Sequence, residues 1–277
     1  MQIAVFGASG WVGRAVSLQL AGRHAVVTVG RPGSASQLHV DPYNRGDVAK
    51  LLEDQSVSVV VNAQGAVGRD IDQLVQANVL ATTALLHATT AVGARLVHIG
   101  SAAEVAGELV DGRGVPLDPY GWSKAMASSA VLGAAAEGAD VVIARVHSVV
   151  AQGMKHGTVV EVHRRVAQAR SELDLSDLGS TRDYVSLDFV GRAVRLLAEA
   201  QVSGVVDVCS GAGTTPTMLA EAFMGLLDRR LDLLRGPIAV PVTGDPGRLS
   251  ALGIAEHLSP AQLAQFVVDP TLTPSAS

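Results

Sequence analysis

The sequence predicts an α/β fold in which helices cover both faces of a parallel sheet, together with a smaller C-terminal part. Short apolar runs alternate with helix-length amphipathic segments through the first half of the chain. Strands that are buried on both faces are nearly continuous in apolar residues, and helices between them indicate a doubly wound parallel sheet. The 277 residues, 48% of them hydrophobic, are enough to bury a large core.

The predicted strands are β-branched runs without proline, which is typical of central strands. They cover residues 3–6, 25–29, 38–40, 57–62, 95–100 and 141–144, and a late strand at 205–208 returns to the sheet. Apolar residues recur with helical spacing between these runs. The predicted helices cover residues 11–21, 47–52, 70–92, 121–137, 159–168, 187–199, 217–227 and 259–267.

Asp47 and Asp70 stand at the starts of two predicted helices, where a side-chain oxygen can accept hydrogen bonds from unpaired backbone N–H groups. We therefore expect both to be N-caps. Residues 269–277 contain two prolines and no apolar pattern, which predicts a frayed tail. The strand–helix alternation loosens after residue 145. The predicted sheet domain is 1–145 with 185–210 returning to it, and the smaller part is 146–184 with 211–277.

Composition and charge exclude several classes of function. The formal charge of −5 and the absence of a basic cluster interleaved with aromatics argue against a nucleic-acid partner. No apolar run approaches membrane-spanning length and no cationic leader precedes the first strand, so we expect a cytoplasmic protein without a membrane segment. The single Cys209 lies in an apolar run and is expected in the core. The eight histidines show no paired metal-ligand spacing, so no metal site is expected.

Gly7, Gly10 and Gly13 follow the first strand and open the first helix. Glycine permits close backbone approach there, and a helix N-terminus presents N–H groups and a positive dipole end to a pyrophosphate. A tight glycine turn without a ligand is the alternative. We predict that the first domain is a Rossmann domain that binds a dinucleotide, and that the smaller part binds the substrate.

The end of the second predicted strand favours NADP over NAD. No acidic side chain follows this strand to accept hydrogen bonds from a ribose diol. Arg31 instead offers a guanidinium group that matches a 2′-phosphate, with Ser34 as a helper. A solvated arginine in a turn is the alternative.

Tyr120 and Lys124 are the candidates for proton transfer. The chain has only three tyrosines, so a tyrosine with a lysine four residues after it is not expected by chance. A phenol with a pKa of about 10 is a poor acid–base group at neutral pH, but a nearby ammonium favours the phenolate and lowers that pKa. Side chains four residues apart lie on one face of a helix. A packing tyrosine beside a surface lysine is the alternative.

These features, with Asn62 to Gly65 after the fourth strand, Asn78 and Ser101, resemble the short-chain dehydrogenase/reductase superfamily. The Gly-x-x-Gly-x-x-Gly loop and the segments 181–185 and 208–211 are similar to its extended branch, the nucleotide-sugar epimerases, dehydratases and 4-ketoreductases. The resemblance implies that Tyr120 donates a proton to a carbonyl as hydride arrives, and that Lys124 also holds the cofactor ribose. Homodimers through paired helices are implied as well.

The usual catalytic Ser or Thr of such enzymes aligns with Ala102. Either the preceding Ser101 takes this role, or it is a structural serine at a strand end. The expected catalytic residues are thus Tyr120, Lys124 and Ser101. The expected cofactor contacts are Gly7, Ser9, Gly10, Trp11, Val12, Gly13, Arg31, Ser34, Asn62, Ala63, Gln64, Tyr120 and Lys124. The expected substrate contacts are Ser101, Glu104, His147, Ser148 and Arg182, with Arg248 as a second, weaker candidate for a phosphate.

The same segment distinguishes between reactions. Ala103 replaces the acid that similar dehydratases need beside the Ser/Thr position, which disfavours dehydration. The acidic residue with which epimerases hold NAD is lacking too. The sequence therefore favours an NADPH-dependent ketoreductase acting on a nucleotide-linked 4-keto-6-deoxy sugar in deoxysugar biosynthesis. A ketoreductase acting on a polycyclic or polyketide natural product is an alternative, followed by a nucleotide-sugar epimerase or a non-catalytic NADP-binding sensor.

Overall fold

The structure is a computed structural model that describes residues 1–107, 109–110, 113–114, 116, 118–178, 181–234 and 241–267. The predicted tail at 269–277 lies outside these residues. The strands are β1 (Gln2–Phe6), β2 (Ala25–Gly30), β3 (Leu38–His39), β4 (Val59–Asn62), β5 (Arg95–Ser101), β6 (Leu109–Val110), β7 (Arg113–Gly114), β8 (Val141–Val146), β9 (Ser148–Val150), β10 (Glu172–Asp174), β11 (Arg182–Ser186), β12 (Gly204–Val208), β13 (Gly213–Thr214) and β14 (Asp232–Leu234).

The helices follow the predicted segments closely. They are α1 (Trp11–Ala21), α2 (Arg45–Asp54), α3 (Ile71–Leu74), α4 (Ala81–Val92), α5 (Pro119–Ala136), α6 (Thr158–Gln168), α7 (Leu187–Glu199), α8 (Pro216–Leu226), α9 (Gly247–Ala251) and α10 (Pro260–Val267). A π-helical segment (Val75–Leu80) joins α3 to α4, and 3-10 turns occur at Ala102–Val105 and Ser176–Leu178. The segment predicted as one helix at 70–92 is thus a helical run with a π-helical centre.

Seven strands form the main sheet in the order β12-β8-β5-β4-β1-β2-β3, and all their pairings are parallel. This confirms the predicted doubly wound sheet. The chain runs from β1 outward to β3 and then crosses to β4 on the other side of β1. The carboxyl ends of β1 and β4 therefore flank the topological switch point, where ligands bind in open sheets of this type.

Helices cover both faces of this sheet. On one face, Leu52 of α2, Leu85 of α4 and Val131 of α5 pack with buried strand residues such as Phe6 and Ile143. On the other face α1 packs against α7, where a side chain at Gly191 would lie 3.0 Å from the Ala15 carbonyl oxygen. Burial of apolar strand residues on both faces explains why the predicted strands were nearly continuous in apolar residues.

The helix caps agree only in part with the prediction. Asp70 caps α3 by accepting from the Gln73 N–H. The prediction for Asp47 was wrong, because α2 begins two residues earlier and Asn44 is its N-cap, accepting from Gly46 and Asp47. Asp47 lies within the first turn, where its carboxylate accepts from the Asn44 amide and complements the helix dipole.

The chain divides into two compact units. The first comprises Met1–Val146, Leu187–Val208 and Gly247–Ile254, and the second comprises His147–Ser186, Cys209–Pro246 and the segment from Ala255. The sequence had placed 247–254 in the smaller part. This segment instead belongs to the sheet unit, since the Arg248 guanidinium donates to the carbonyl oxygens of Ser203 and Val205. Arg248 is therefore a structural anchor of α9 on β12 rather than a phosphate contact.

The second unit has its own sheets and core. One sheet has the order β13-β11-β9 and another pairs β10 with β14. Helices α6, α8 and α10 pack together through residues such as Val162, Phe223 and Leu263. Cys209 is buried in this unit.

No helix in the described part of the chain has both the length and the apolar character needed to cross a lipid bilayer. The described residues also contain no His, Cys, Asp or Glu cluster suited to a metal ion.

Candidate functional site

A groove lies at the carboxyl ends of β1, β2 and β4 in the first unit. Its volume is about 390 Å³, comparable with the smaller ligand sites of proteins. It opens at the switch point of the sheet. Among the residues that line it are the predicted cofactor contacts Gly7, Ser9, Gly10, Arg31, Ser34, Ala63 and Gln64.

The glycine loop forms the floor of this groove. Gly7 has a φ of 79°, a conformation that favours glycine, and a side chain there would lie 2.5 Å from the Ala63 carbonyl oxygen. A side chain at Gly13 would lie 2.2 Å from the Gly7 carbonyl oxygen. No side chain caps the N-terminus of α1, which begins at Trp11 and Val12 directly after the loop. The loop therefore leaves the positive end of α1 available to an anionic ligand, and it fits a pyrophosphate.

The carboxyl end of β2 forms one end of the groove. The Oγ atoms of Ser34 and Ser36 are buried and have no hydrogen-bond partner among the described residues. They lie only 2.2 and 2.5 Å from where a side chain at Gly30 would begin. Arg31 is exposed beside them, and no carboxylate of the described chain pairs with its guanidinium. Arg31 and Ser34 line this end of the groove, where the sequence predicted a 2′-phosphate contact, whereas Ser36 does not line it. No sequence pattern marked the position of Ser36, because only the turn brings it back to Gly30.

The loop after β4 forms the opposite wall. The Asn62 Oδ1 accepts from the Gln64 N–H at 3.1 Å, while its Nδ2 donates to the Thr82 hydroxyl and to His98 Nδ1. Asn62 itself is fully buried, so it shapes the wall rather than lining it. The Nε2 of Gln64 is buried without a partner among the described residues, and this donor fits a polar ligand in the groove.

Asn78 in the π-helical segment connects this wall to α5. Its Oδ1 accepts from the Ala66 N–H at 2.8 Å, and its Nδ2 donates to the Ala66 carbonyl oxygen. The same Nδ2 donates to the Ser123 hydroxyl at 2.8 Å. Ser123 lies between Tyr120 and Lys124. The wall of the groove and the helix with the predicted proton donor are therefore joined by one buried amide. π-helical turns often mark functional sites, and this one turns Asn78 inward.

Tyr120 lies in the first turn of α5, close to the end of β5. Asp118 caps this helix by accepting from Gly121, and Pro119 occupies the first turn. A side chain at Gly121 would lie 2.4 Å from the Ala103 carbonyl oxygen, so glycine lets α5 pack directly on the 3-10 turn after β5. In this position Tyr120 lies close enough to Ser101 for this residue to influence the pKa of the phenol. The Ser101 hydroxyl itself accepts from the Ala103 N–H at 3.2 Å. The structure thus brings together Tyr120 and Ser101, whereas Ala102 is buried and has no hydroxyl.

The electrostatics of this pair differ from the prediction. Burial raises the pKa of Tyr120, Ser101 opposes the rise, and the charges of Glu104 and Asp118 add to it. Burial also lowers the pKa of Lys124 to about 8, and its Nζ donates to the Ile99 carbonyl oxygen at 2.6 Å. The expectation that Lys124 lowers the pKa of Tyr120 is therefore wrong for this structure. Desolvation dominates, and the ammonium is held by a backbone carbonyl.

Tyr120 and Lys124 are not among the residues that line the groove volume. They stand beyond the wall that Asn78 braces, on the first turns of α5. Glu104 is buried, and its oxygens face protein groups at the end of β5 and on α5. This placement fits a bracing role better than the direct substrate contact that the sequence suggested.

The remaining predicted substrate contacts lie in the second unit. His147 is buried, with its Nε2 only 2.5 Å from where a side chain at Gly244 would begin. Ser148 begins β9 and pairs with Tyr184 across the sheet. Arg182 begins β11 and is exposed. Each of these roles stays a prediction.

Asp183 is a buried carboxylate that the sequence reasoning did not single out. It accepts from the backbone N–H groups of Ser210 and Gly211, both at 2.8 Å, and from the Ser210 hydroxyl. It fixes the loop after Cys209 to the strand that begins with Arg182. The sequence signal that could have indicated Asp183 is an acidic residue between an arginine and an aromatic residue in the segment 181–185.

Comparison with known proteins is consistent with this geometry. A family model described as the NAD dependent epimerase/dehydratase family matches residues 3–209. The chain is 28% identical over 245 residues to dTDP-6-deoxy-L-talose 4-dehydrogenase (NAD(P)(+)) of Kitasatospora kifunensis, covering 79% of this chain and 77% of that protein. It is 26% identical over 255 residues to GDP-6-deoxy-D-mannose reductase of Pseudomonas aeruginosa, covering 85% and 83%.

Solved structures share the fold. RMD from Pseudomonas aeruginosa complexed with NADPH has a TM-score of 0.74 at 22% identity, covering 96% of this chain and 97% of that one. UDP-glucose 4-epimerase of Thermus thermophilus in complex with NAD has a TM-score of 0.76 at 20% identity, covering 96% and 98%. At these identities the likeness concerns the fold.

The buried network around His98 generates a prediction about stability in acid. Because the Asn62 Oδ1 accepts from Gln64, its Nδ2 must be the donor to His98 Nδ1, which makes the imidazole neutral. Burial, together with the charge of Lys124, holds the pKa of His98 well below its usual range. Below about pH 6.5, His98 therefore binds a proton in the unfolded chain but not in the folded chain. The free energy of unfolding consequently falls as the pH decreases through this range.

We expect His98→Gln to reduce the acid dependence of the free energy of unfolding by roughly one proton, or about 1.4 kcal/mol per pH unit below pH 6.5. Urea unfolding at a series of pH values between neutral and mildly acidic measures this slope. His87→Gln, at an exposed position of α4, is the matched control and should keep the parental slope. Equal slopes for the parent and His98→Gln would show that His98 does not resist protonation.

Proposed function

The chain belongs to the NAD-dependent epimerase/dehydratase family, and on this basis we propose that it is an NADPH-dependent ketoreductase acting on a nucleotide-linked 4-keto-6-deoxy sugar. The observation that carries the proposal is the proximity of Tyr120 and Ser101, with a buried Lys124 one turn after Tyr120 on α5. The names of the two relatives also describe a dehydrogenase and a reductase of nucleotide-linked 6-deoxyhexoses.

The proposed mechanism assigns proton delivery to Tyr120. When bound, the dinucleotide supplies the hydride. Burial and nearby carboxylates raise the pKa of Tyr120, so the phenol is protonated at neutral pH, which is the form that can donate to a carbonyl oxygen gaining charge. Ser101, which lies near the phenol, would orient that oxygen. Lys124, whose pKa is lowered to about 8, remains largely charged at neutral pH.

NADP is the proposed form of the cofactor, and the end of β2 supports this choice. A dianionic 2′-phosphate needs donors, and the groove is lined by Arg31 and by Ser34, whose hydroxyl has no partner among the described residues. A carboxylate that would hold a ribose diol is lacking between residues 28 and 34. The comparisons support only a nicotinamide cofactor, since the solved structures of similar fold include complexes with NAD and with NADPH.

Arg182 is the proposed contact for the nucleotide phosphate of the substrate. Its backbone is held in register by Thr214 of β13, and the neighbouring Asp183 is fixed by the loop at 210–211. Its side chain is exposed, and within the described residues no carboxylate pairs with it. Arginine suits this role because its guanidinium can bind a phosphate in a bidentate manner.

NADPH oxidation with a defined set of ketones tests the proposal. Steady oxidation with a nucleotide-linked 4-keto-6-deoxy sugar and formation of the alcohol support it. Oxidation only with polycyclic aromatic ketones favours a natural-product ketoreductase instead. Interconversion of sugar epimers without net NADPH consumption indicates an epimerase, and tight NADP binding without turnover on any carbonyl indicates a sensor.

Tyr120→Phe should lower turnover by roughly two to four orders of magnitude, the usual effect of losing a general acid. Phenylalanine keeps the ring and removes the proton, so affinity for NADPH should be nearly unchanged. Single-turnover kinetics and a fluorescence titration separate these two quantities. Tyr184→Phe removes a hydroxyl in the second unit and serves as the control. A Tyr120→Phe enzyme with parental turnover removes Tyr120 from the mechanism.

Arg31→Ala should weaken NADPH binding by about ten- to a hundred-fold, as expected when a charge-assisted hydrogen bond is lost, and should leave NADH binding nearly unchanged. Direct titration of both cofactors measures the ratio. Arg23→Ala removes an exposed arginine elsewhere in the first unit and controls for net charge. Equal losses for the two cofactors would contradict the assignment of Arg31 to the 2′-phosphate.

We further propose a homodimer through the outer face of α5. This face carries no charged residue and exposes Trp122, Met126 and Leu132, which are 46%, 40% and 39% exposed. A contiguous uncharged face on an 18-residue helix is typical of an interface rather than of scattered surface residues.

Analytical ultracentrifugation should therefore find two chains per particle, and Trp122→Glu with Met126→Glu should convert the particle to a monomer. A buried charge at an apolar interface explains the expected dissociation. Leu18→Glu alters a leucine on α1 that is 77% exposed and should leave the dimer intact. A monomeric parental protein at micromolar concentration would refute this assembly.

A further inference from the structure

Glu104 lies at the centre of a buried polar cluster at the end of β5. It is 4% exposed and belongs to the 3-10 turn that follows this strand. Its Oε1 accepts from the Ser101 N–H at 2.7 Å and from the Ser128 hydroxyl at 3.0 Å. Its Oε2 lies 3.6 Å from the Arg145 Nε on β8. One carboxylate thus joins the strand that carries Ser101, the helix that carries Tyr120, and a neighbouring strand of the sheet.

Gly100 provides the space for this carboxylate. A side chain at residue 100 would begin 2.7 Å from the Glu104 Oε1 and 2.9 Å from the Ile143 Cγ2. The strand backbone itself does not need glycine there, since Gly100 is not among the residues with a positive φ. Residue 100 therefore lacks a side chain because the carboxylate of residue 104 occupies that space.

The polar groups around Tyr120 come from three elements. The neutral Ser101 approaches from β5, and the carboxylates of Glu104 and Asp118 come from the 3-10 turn and from the cap of α5 itself. The carboxylates of Glu104 and Asp118 both raise the pKa of the phenol. Lys124, one helical turn further along, faces Glu104 and is also near the neutral His98.

We propose that Glu104 is a positioning residue for the proposed proton donor: through its contacts with the Ser101 N–H, the Ser128 hydroxyl and Arg145 it fixes Ser101 beside Tyr120 and places a negative charge near the phenol and Lys124. Its kinetic consequence rests on the proposed ketoreductase function, but its effect on Tyr120 does not. The carboxylate acts through Ser101, Tyr120 and Lys124 and does not contact the substrate. This accounts for a buried acid at 104 in a chain in which Ala102 and Ala103 have lost the polar groups of the dehydratase pattern.

Removal of the charge at 104 has a defined sign. Burial raises the pKa of Glu104, yet at the alkaline pH where a phenol titrates the carboxylate is ionised. Its loss stabilises the phenolate of Tyr120, and so lowers the pKa of the phenol. It also removes the attraction that raises the pKa of Lys124, so the ammonium loses its proton more easily. As a result of both changes, the protonated phenol and the charged ammonium are lost at a lower pH than in the parental protein.

Glu104→Gln keeps the size of the side chain and an oxygen acceptor while it removes the charge. We expect the tyrosinate absorbance of Tyr120 to appear at a pH lower by roughly half to one unit in this variant. Subtraction of the titration of a Tyr120→Phe protein identifies the Tyr120 component among the three tyrosines. This measurement needs neither cofactor nor substrate, and circular dichroism defines the pH range in which the protein stays folded.

Ser128→Ala is the matched control. It removes one hydrogen bond to Oε1 and leaves the carboxylate charged, so the Tyr120 titration should stay at the parental pH. If Glu104→Gln does not fold, Gly100→Ala provides the test, because its methyl group displaces the carboxylate and should shift the titration in the same direction. An unmoved titration in the folded variant overturns the proposal.

A kinetic measurement extends the test to turnover. The alkaline limb of kcat/KM for ketone reduction should move to lower pH in Glu104→Gln and stay in place in Ser128→Ala, since only the first changes the charge near the donor. If kcat/KM of Glu104→Gln is lower but its alkaline limb lies at the parental pH, Glu104 has a merely structural role and the proposal is contradicted. Absence of turnover in the parental protein refutes the ketoreductase function, while the tyrosinate titration still decides the role of Glu104.

Discussion

The close approach of backbone to backbone between the glycine loop and the loop after β4 is the constraint on which the site depends. Side chains at Gly7 or Gly13 would lie within about 2.5 Å of carbonyl oxygens. Because β1 and β4 are adjacent parallel strands, their carboxyl ends can form one groove only if residue 7, in the turn after β1, has no side chain. The first turn of α1 can approach this turn only if residue 13 has none. The N-terminus of α1 then faces the groove without a protein cap.

Buried polar groups connect the groove to α5, the helix that carries the proposed proton donor. Asn62 and Asn78 each use both ends of their amide, so they fix the wall of the groove and its connection to α5 at the same time. An unsatisfied buried amide costs more free energy than a hydrogen bond contributes, which makes such a network specific for one arrangement. Catalytic groups need this kind of fixed support.

Burial also determines the charge states at the site. Desolvation is the largest influence on the pKa values of Tyr120, Lys124, His98 and Glu104. A protonated phenol, a neutral imidazole and a largely charged lysine result at neutral pH, and this set suits donation of a proton to a carbonyl. The pairwise attraction between Tyr120 and Lys124 that the spacing suggested is secondary in this environment, because the ammonium is bound to a carbonyl oxygen of β5.

Local sequence patterns determined the sheet, nearly all helix positions and the glycine loop, since apolar periodicity and glycine placement are properties of neighbouring residues. The exceptions were also local. Asn44 competed with Asp47 for the cap of α2, and the π-helical turn inside 70–92 leaves no signature in apolar spacing. The catalytic role of Tyr120 and Lys124 stays a prediction. Tertiary structure alone decided that 247–254 joins the sheet unit, that Ser36 returns to Gly30, and that Glu104 faces inward beside Gly100. These facts depend on contacts between residues distant along the chain or on the direction of a side chain, and on the cost of burying charge, which no linear pattern records.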